Sequence, residues 1–239
     1  MSGTTAVPKI EAGATATVQV PVTIPTGVAT NAYPFRAVFT SAQGTSTTPT
    51  ASSVVVRGGT LAWSRTVDAS FDGRSILDVS DQFGQVQALT GGAIDMAFQT
   101  TATAPAAVLL SSADPISAYR DLVISINSGH PYAEFRSGVS SYPIRISTSA
   151  TVNDGRPHDL ILASNEGITS LILDGQLIGQ ADGQEFFSQL DDITPPFLPN
   201  NPSGRPNLTI GANRAYVNGA LTNRWFYTGQ ISSVAVYSG

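Results

Sequence analysis

The sequence predicts an all-β protein: a two-sheet antiparallel jelly roll over residues 58–239, preceded by a small β segment over residues 1–57. Three observations carry this. From Thr60 onward, short apolar or alternating runs recur between turn-forming residues, with no sustained helical period. Charged residues make up only 12% of the 239 while hydrophobic residues make up 41%, so there is material for a core and the polar surface must come from Ser, Thr, Asn, Gln and Gly. Asp174-Gly175, set between two apolar runs, is a tight-hairpin signal.

Taken in order, Thr15–Val22 alternates polar and apolar residues and reads as a strand with Val18, Val20 and Val22 inward. Tyr33–Phe39 and Ser52–Val56 read as two more strands, separated by turn-rich segments such as Pro25-Thr26-Gly27 and Ser41–Thr50. Three strands make about half of an immunoglobulin-like sandwich. The run Ala12–Pro25 followed by Tyr33-Pro34 resembles the end of a bacterial immunoglobulin-like linker domain whose first strands are missing. Arg57-Gly58-Gly59 marks the boundary.

Beyond it, Gly91–Phe98 places Ile94, Met96 and Phe98 on one face. Asp121–Ser128, Pro131–Arg136 and Ile144–Ser147 follow as strands. Leu160–Ala163 and Ser170–Leu173 are near-continuous apolar runs, as central strands covered on both faces require. Asp174-Gly175 joins the second of these to Gln176-Leu177-Ile178, and Val234–Tyr237 is the last strand. Glu185–Leu190 fits a single helical turn.

Charge and composition exclude several functions. The net charge of −5 gives no global attraction to nucleic acid or to an anionic membrane, so any anionic ligand must be held by a local basic cluster. With no cysteine, disulfides, thiol catalysis and zinc–thiolate sites are out. Every basic residue except Lys9 is arginine, the residue suited to gripping a planar carboxylate, although a GC-rich genome gives the same ratio. No apolar run approaches a membrane span. Met1-Ser2-Gly3-Thr4 lacks the basic and apolar parts of a signal peptide and reads as the edge of a segment cut from a longer protein. The composition suits a secreted or cell-surface protein.

Several segments resemble the laminin-G/concanavalin-like superfamily. Asn153–Leu160 resembles its "DG-x-W-H" segment, with Pro157 in place of the tryptophan, and Leu171–Ile178 resembles its "L-Y-x-D-G-x-x-V" hairpin. Leu208–Gly211 and Tyr227–Tyr237 resemble its closing strands. A narrower resemblance, over residues 70–238, is to the sialic-acid-binding module of bacterial sialidases. It rests on Ile76–Asp81, Gly92-Ala93-Ile94, the Glu-x-Arg strand Glu134-Phe135-Arg136, and Ile210-Gly211-Ala212-Asn213-Arg214. The proline- and asparagine-rich stretch Thr194–Pro206 departs from the family pattern and bears on ligand choice.

The most informative strand is Pro131–Arg136. If Phe135 points into the core, Tyr132, Glu134 and Arg136 point outward together. A guanidinium can hold a carboxylate through two parallel hydrogen bonds, and an adjacent glutamate can accept from a hydroxyl or amide and orient the arginine. A solvated strand face with a cross-strand ion pair is the plainer reading of the same residues. The resemblance implies the binding site: Arg136 and Arg214 share the sialic-acid carboxylate and Glu134 accepts from the sugar. Tyr227, Tyr216 and Tyr119 are candidates to cover the apolar parts of the ligand, a rim or core position being the plainer reading of each, and Arg224 and Trp225 could line the site or form a hairpin with Trp225 in the core.

Of the two histidines, His158 is read as structural, and His130 and His158 lack ligand spacing for a transition metal. No cofactor is expected. Asp72-Gly73 and Asp78–Asp81 offer oxygen ligands for calcium, but such clusters are more often plain turns. Recognisable glycosidase carboxylate runs and Gly-x-Ser-x-Gly turns are absent, and Asp191-Asp192 has no partner. The expected function is therefore a non-catalytic module that binds terminal sialic acid and targets an attached sialidase to sialylated glycans. The alternative is a structural, protein-interaction or neutral-glycan-binding laminin-G-like domain.

Overall fold

The computed structural model describes residues 28–35, 38–41, 44–47, 52–56, 58–114, 120–136, 142–190, 206–218 and 220–239. The expected strand Thr15–Val22, and with it most of the immunoglobulin-like reading, lies outside these residues, as do Tyr119, Asp191-Asp192 and nearly all of Thr194–Pro206. Before Gly58 there are four short strands: β1 (Asn31–Phe35), β2 (Val38–Ser41), β3 (Gly44–Thr47) and β4 (Ser52–Val56). β1 pairs with β4, and β2 with β3. The single strand expected over Tyr33–Phe39 is thus two strands with different partners, and Gly44–Thr47, expected as turn, is the return arm of a hairpin.

The remaining strands build a two-sheet antiparallel jelly roll. In chain order they are β5 (Leu61–Asp72), β6 (Leu77–Asp78), β7 (Gly92–Gln99), β8 (Ala107–Ala113) and β9 (Asp121–Asn127). β10 (His130–Arg136), β11 (Ile144–Ser147), β12 (Pro157–Asn165), β13 (Ile168–Leu173) and β14 (Gln176–Asp182) follow. β15 (Asn207–Ile210), β16 (Asn213–Val217), β17 (Ala220–Arg224) and β18 (Thr228–Ser238) complete the set. The front sheet runs β11-β10-β9-β8-β15-β6 and the back sheet β14-β13-β12-β7-β18-β5.

The core lies between the sheets because each sheet turns one set of alternating apolar residues toward the other. Leu122, Ile124, Ile126, Ala133, Phe135, Ile144 and Ile146 come from the front sheet, and Ile94, Met96, Phe98, Leu160, Leu162, Leu171, Val234 and Val236 from the back. A bulge in β8 between Val108 and Leu110 lets both Leu109 and Leu110 join this core. Phe83 from a short 3-10 turn, Ser80–Gln85, and Phe186 and Phe187 close one end, with Phe187 edge-on to both other rings at 6.2 and 4.9 Å. The helical turn expected within Glu185–Leu190 is the 3-10 segment Phe187–Gln189.

β12 and β13 are covered on both faces, as their continuous apolar runs required. Ile161, Ala163 and Ile172 turn away from the main core and form a second buried cluster with Ala93 on the outer face of the back sheet. There the chain leading into β1 is held down. Asn165 Nδ2 donates to the Thr30 and Gly92 carbonyls at 2.9 and 3.0 Å, and Ser170 Oγ donates to Asn31 Oδ1 at 2.6 Å.

The outer face of the front sheet is covered differently. After β15 the chain turns sharply at Gly211, where φ is +84° and a Cβ would run into the Phe71 ring, so only glycine fits. The turn launches the β16–β17 hairpin over β8: Asn213 Nδ2 donates to Ser111 Oγ at 2.8 Å, and Trp225 O accepts from Val108 N–H at 2.8 Å. Outward residues of the neighbouring strand β9 are buried as well: Val123 and Ser125 are each only 2% exposed.

Candidate functional site

Strand β10 alternates as expected. Ala133 and Phe135 are buried in the core, while Tyr132, Glu134 and Arg136 are half-buried on the outer face. Glu134 and Arg136 are therefore about 6.5–7 Å apart along one strand face. Glu134 is fixed from the side: the Tyr132 hydroxyl donates to its Oε2, and that hydroxyl accepts from Arg145 Nε of β11 at 2.9 Å. Arg145 Nη2 also lies 3.5 Å from Glu134 Oε2. Burial, then the hydrogen bond to Glu134, push the Tyr132 hydroxyl pKa up, so it stays a proton donor to this carboxylate. Arg136 and Arg145 both lie against the exposed ring of Tyr142, their guanidinium carbons 5.3 and 4.3 Å from its centre.

A second arginine arrives from the hairpin. Asn213 pairs with Arg224 and Arg214 with Asn223, so Arg224 and Arg214 lie on opposite faces of it. Arg224 is on the face toward the sheet. Its Nε donates to Asn213 Oδ1 at 3.0 Å, and its guanidinium stacks 3.8 Å from the centre of the Trp225 ring. Burial works against its charge, and it feels Asp121, Arg136 and Glu134 together. Trp225 is 39% exposed, with φ at +56°, an unusual conformation for a bulky residue. Glu134 and Arg136, with Tyr142 against Arg136, thus share an electrostatic environment with Arg224, which carries Trp225 against its guanidinium.

Two sequence expectations are corrected here. Arg214 does not join Arg136. Its Nη1 donates to Asp78 Oδ2 and its Nε to Asn223 Oδ1 at 3.0 Å. Asp78 lies on β6, four strands from β10 in the sheet order, a separation of about 19 Å. Hairpin register decides this: a one-residue offset sends neighbouring side chains to opposite faces. Tyr227 is not at the surface. It is fully buried, edge-on to Phe71 at 6.1 Å, and its hydroxyl donates to Gln99 O at 2.8 Å. Trp225, by contrast, is outside the core. Of the two readings of Asn223-Arg224-Trp225, the residues do form a hairpin arm and its turn, but with Trp225 outside the core; Tyr142 was not singled out in the sequence.

Elsewhere, His158 is tied between two aspartates. Its Nδ1 is 2.8 Å from Asp174 Oδ2 and its Nε2 is 3.1 Å from Asp154 Oδ1. Asp174 Oδ1 also accepts from Asp159 N–H, so the cluster staples the β13–β14 turn to β12. Asp72 and Asp78 are engaged with Ser75, Ser80 and Arg214. Among the described residues no group of three or more His, Cys, Asp or Glu side chains could hold a metal ion, and no helix is long and apolar enough to cross a membrane.

The laminin G domain family matches residues 98–238. Among solved structures, the CBM40 module of the Ruminococcus gnavus IT-sialidase superposes with a TM-score of 0.59 at 19% identity, covering 74% of this chain and 92% of that one. The same module bound to α2,3-sialyllactose gives 0.58 at 19% identity over the same shares. The leech intramolecular trans-sialidase in complex with 2,7-anhydro-Neu5Ac gives 0.60 at 17% identity over 76% of this chain but 26% of that one. No curated protein sequence matches the chain. At these identities the structural likeness is one of fold. The family match covers more than half of the sequence and includes both the strand carrying Glu134 and Arg136 and the hairpin carrying Arg224: the chain belongs to the laminin G domain family.

Proposed function

We propose that residues 58–239 form a non-catalytic carbohydrate-binding module that recognises terminal sialic acid. The observation that carries this reading is the convergence of Arg136, Arg224 and Glu134 on one outer face between Tyr142 and Trp225. In a chain of net charge −5, two arginines brought together by separate elements offset the desolvation of an anionic sugar. The guanidinium of Arg136, continued by Arg224, takes the carboxylate. Glu134, held by Tyr132 and Arg145, accepts from a sugar hydroxyl or amide, and the two rings flank the apolar parts. Each charge-assisted contact is worth about 1.5–3 kcal/mol. A shallow site of this kind gives dissociation constants of about micromolar to millimolar.

The fold shared with a sialidase CBM40 module, also solved with sialyllactose, supports the choice of ligand. The leech enzyme, of which this chain spans about a quarter, supports an accessory role beside a sialidase domain in a longer, secreted or surface protein. In that role weak binding is useful, because tethering raises the local substrate concentration for the attached enzyme. The small N-terminal β unit acts as a linker. Calorimetric titration with sialyllactose against lactose tests the reading. Heat with the first only, lost in Arg136→Ala, is expected. Equal heats for both sugars, or unchanged binding by Arg136→Ala, would overturn it in favour of a neutral-glycan or protein-interaction role.

A further inference from the structure

One carboxyl group lies within this site without reaching its surface. Asp121 stands on the outer face of β9, directly opposite Arg136 in the β9–β10 register and diagonal to Glu134. It is only 3% exposed, and its Oδ1 accepts no hydrogen bond. A buried carboxylate without its full set of hydrogen bonds is costly, so its charge depends on its neighbours. Arg136 of β10 faces it across the strand pair with Glu134 on the diagonal, and the charge of Arg224 from β17 reaches it as well. In the same cross-strand row, β8 offers Ala113 and β15 offers Asn207, neither of them ionisable. The next outward residues of β9 are Val123 and Ser125, and Arg145 of β11 is engaged with Glu134. Along the chain, Asp114 N–H donates to Arg120 O at 2.9 Å beside it.

Among the described residues of β9 and β10, Asp121 and Glu134 are the outward carboxyl groups, but Asp121 is too buried to protonate a glycosidic oxygen or touch a sugar. Its effect has to pass through the arginines. We propose that Asp121 is a positioning residue that couples the glycan site to pH: protonated, it leaves the charge of Arg136 and Arg224 to the ligand carboxylate; ionised, it competes for that charge. This rests on the sialic-acid reading above.

With Asp121 ionised, it and Glu134 set two negative charges against the three positive charges of Arg136, Arg224 and Arg145. With Asp121 protonated only Glu134, already paired with Arg145, opposes them, and the ligand carboxylate meets one more positive charge. Burial pushes the Asp121 carboxyl up to about 7, Glu134 pushes the same way, and Arg136 and Arg224 pull back. An arriving carboxylate adds negative charge and raises that value further, so binding near neutral pH takes up a proton. By linkage the same coupling makes affinity highest below about pH 7 and lower as pH rises.

The test is titration with sialyllactose from pH 5.5 to 8.5 at constant ionic strength, for the unmodified chain, Asp121→Asn and His130→Gln. The unmodified chain should lose about tenfold in affinity between pH 6 and pH 8.5. At pH 7.5 its binding heat should vary with the ionisation enthalpy of the buffer, as proton uptake requires. Asp121→Asn should bind at pH 8.5 as tightly as the unmodified chain does at pH 6, with no slope. His130→Gln should keep the original profile. The buffer dependence uses the unmodified chain alone and so decides the matter even if Asp121→Asn fails to fold. Binding with a flat profile, or a slope that survives in Asp121→Asn, overturns this proposal alone. Absence of binding at every pH overturns the sialic-acid reading and this proposal with it.

Discussion

Arg224 and Asn213 face each other across the β16–β17 hairpin, and Arg224 Nε donates to Asn213 Oδ1 at 3.0 Å. Asn213 is in turn tied to the sheet, its Nδ2 donating to Ser111 Oγ at 2.8 Å. A chain of hydrogen bonds therefore runs from β8 through the hairpin to the guanidinium, and it fixes Arg224 on the face where it feels the charges of Arg136, Glu134 and Asp121. Arg214, one residue along from Asn213, faces the other way. Arg224→Ala should weaken sialyllactose binding by about 10- to 150-fold, the loss of one charge-assisted contact. Asn213→Ala should lower affinity in the same direction by less. Arg214→Ala should change binding by no more than about twofold and stability by at most about 1 kcal/mol, since its pair with Asp78 is partly exposed. Calorimetry and thermal melts on the three variants separate these effects.

The two exposed rings should matter unequally to sugar and to fold. Trp225 and Tyr142 are 39% and 37% exposed, so removing either ring leaves the core intact. Trp225→Ala should reduce affinity about 3- to 30-fold, because it removes both a platform and the cation–π partner that orients Arg224. Trp225→Phe should recover part of the loss. Melting temperatures of both variants should stay close to that of the unmodified chain.

Tyr227→Phe tests the corrected placement of this tyrosine. It keeps the edge-on contact with Phe71 but leaves Gln99 O without its 2.8 Å donor. A destabilisation of about 1–2 kcal/mol is expected in denaturant titration. Sialyllactose affinity should be unchanged, which a surface role for Tyr227 would not allow.

His158 gives the fold its own pH dependence. Burial works against the charged ring, but hydrogen bonds and charge from Asp174 and Asp154 outweigh it, so the folded pKa lies above the ordinary value of 6.5. A raised pKa means that the contribution is fully present below the unfolded value and is lost as pH rises through the folded value. The difference in melting temperature between the unmodified chain and His158→Gln should therefore be largest near pH 5–6 and shrink above neutrality. A difference that grows with pH would contradict the two-aspartate arrangement.

Much of the back sheet could be read directly. Leu160–Ala163 and Ser170–Leu173 are apolar without interruption, and both faces of β12 and β13 are buried, one by the front sheet and the other beneath the segment holding Thr30 and Asn31. The 12-residue β5 was harder to see. Its outward residues are polar and partly exposed, so Trp63 and Phe71 are its only fully buried apolar side chains and the apolar signal is thin. β8 lacks clean alternation because its bulge turns two successive leucines inward. The β2–β3 hairpin is polar, with little apolar pattern to mark it.

For the site, the sequence by itself determined that Glu134 and Arg136 share the outer face of one strand, because alternation with buried Ala133 and Phe135 admits no other arrangement. It also determined that any anionic ligand needs converging arginines in a chain of negative net charge. Only the tertiary structure decided which arginine converges. Arg214 and Arg224 occupy the two arms of the same hairpin, and the turn at Gly211 and the cross-hairpin register send one toward Asp78 and the other to the opposite face, where it feels the charges of Asp121, Arg136 and Glu134. The burial of Asp121 opposite Arg136 was likewise invisible. It depends on strands and a hairpin separated by about a hundred residues, and long-range packing of that kind leaves no local trace in composition, period or spacing.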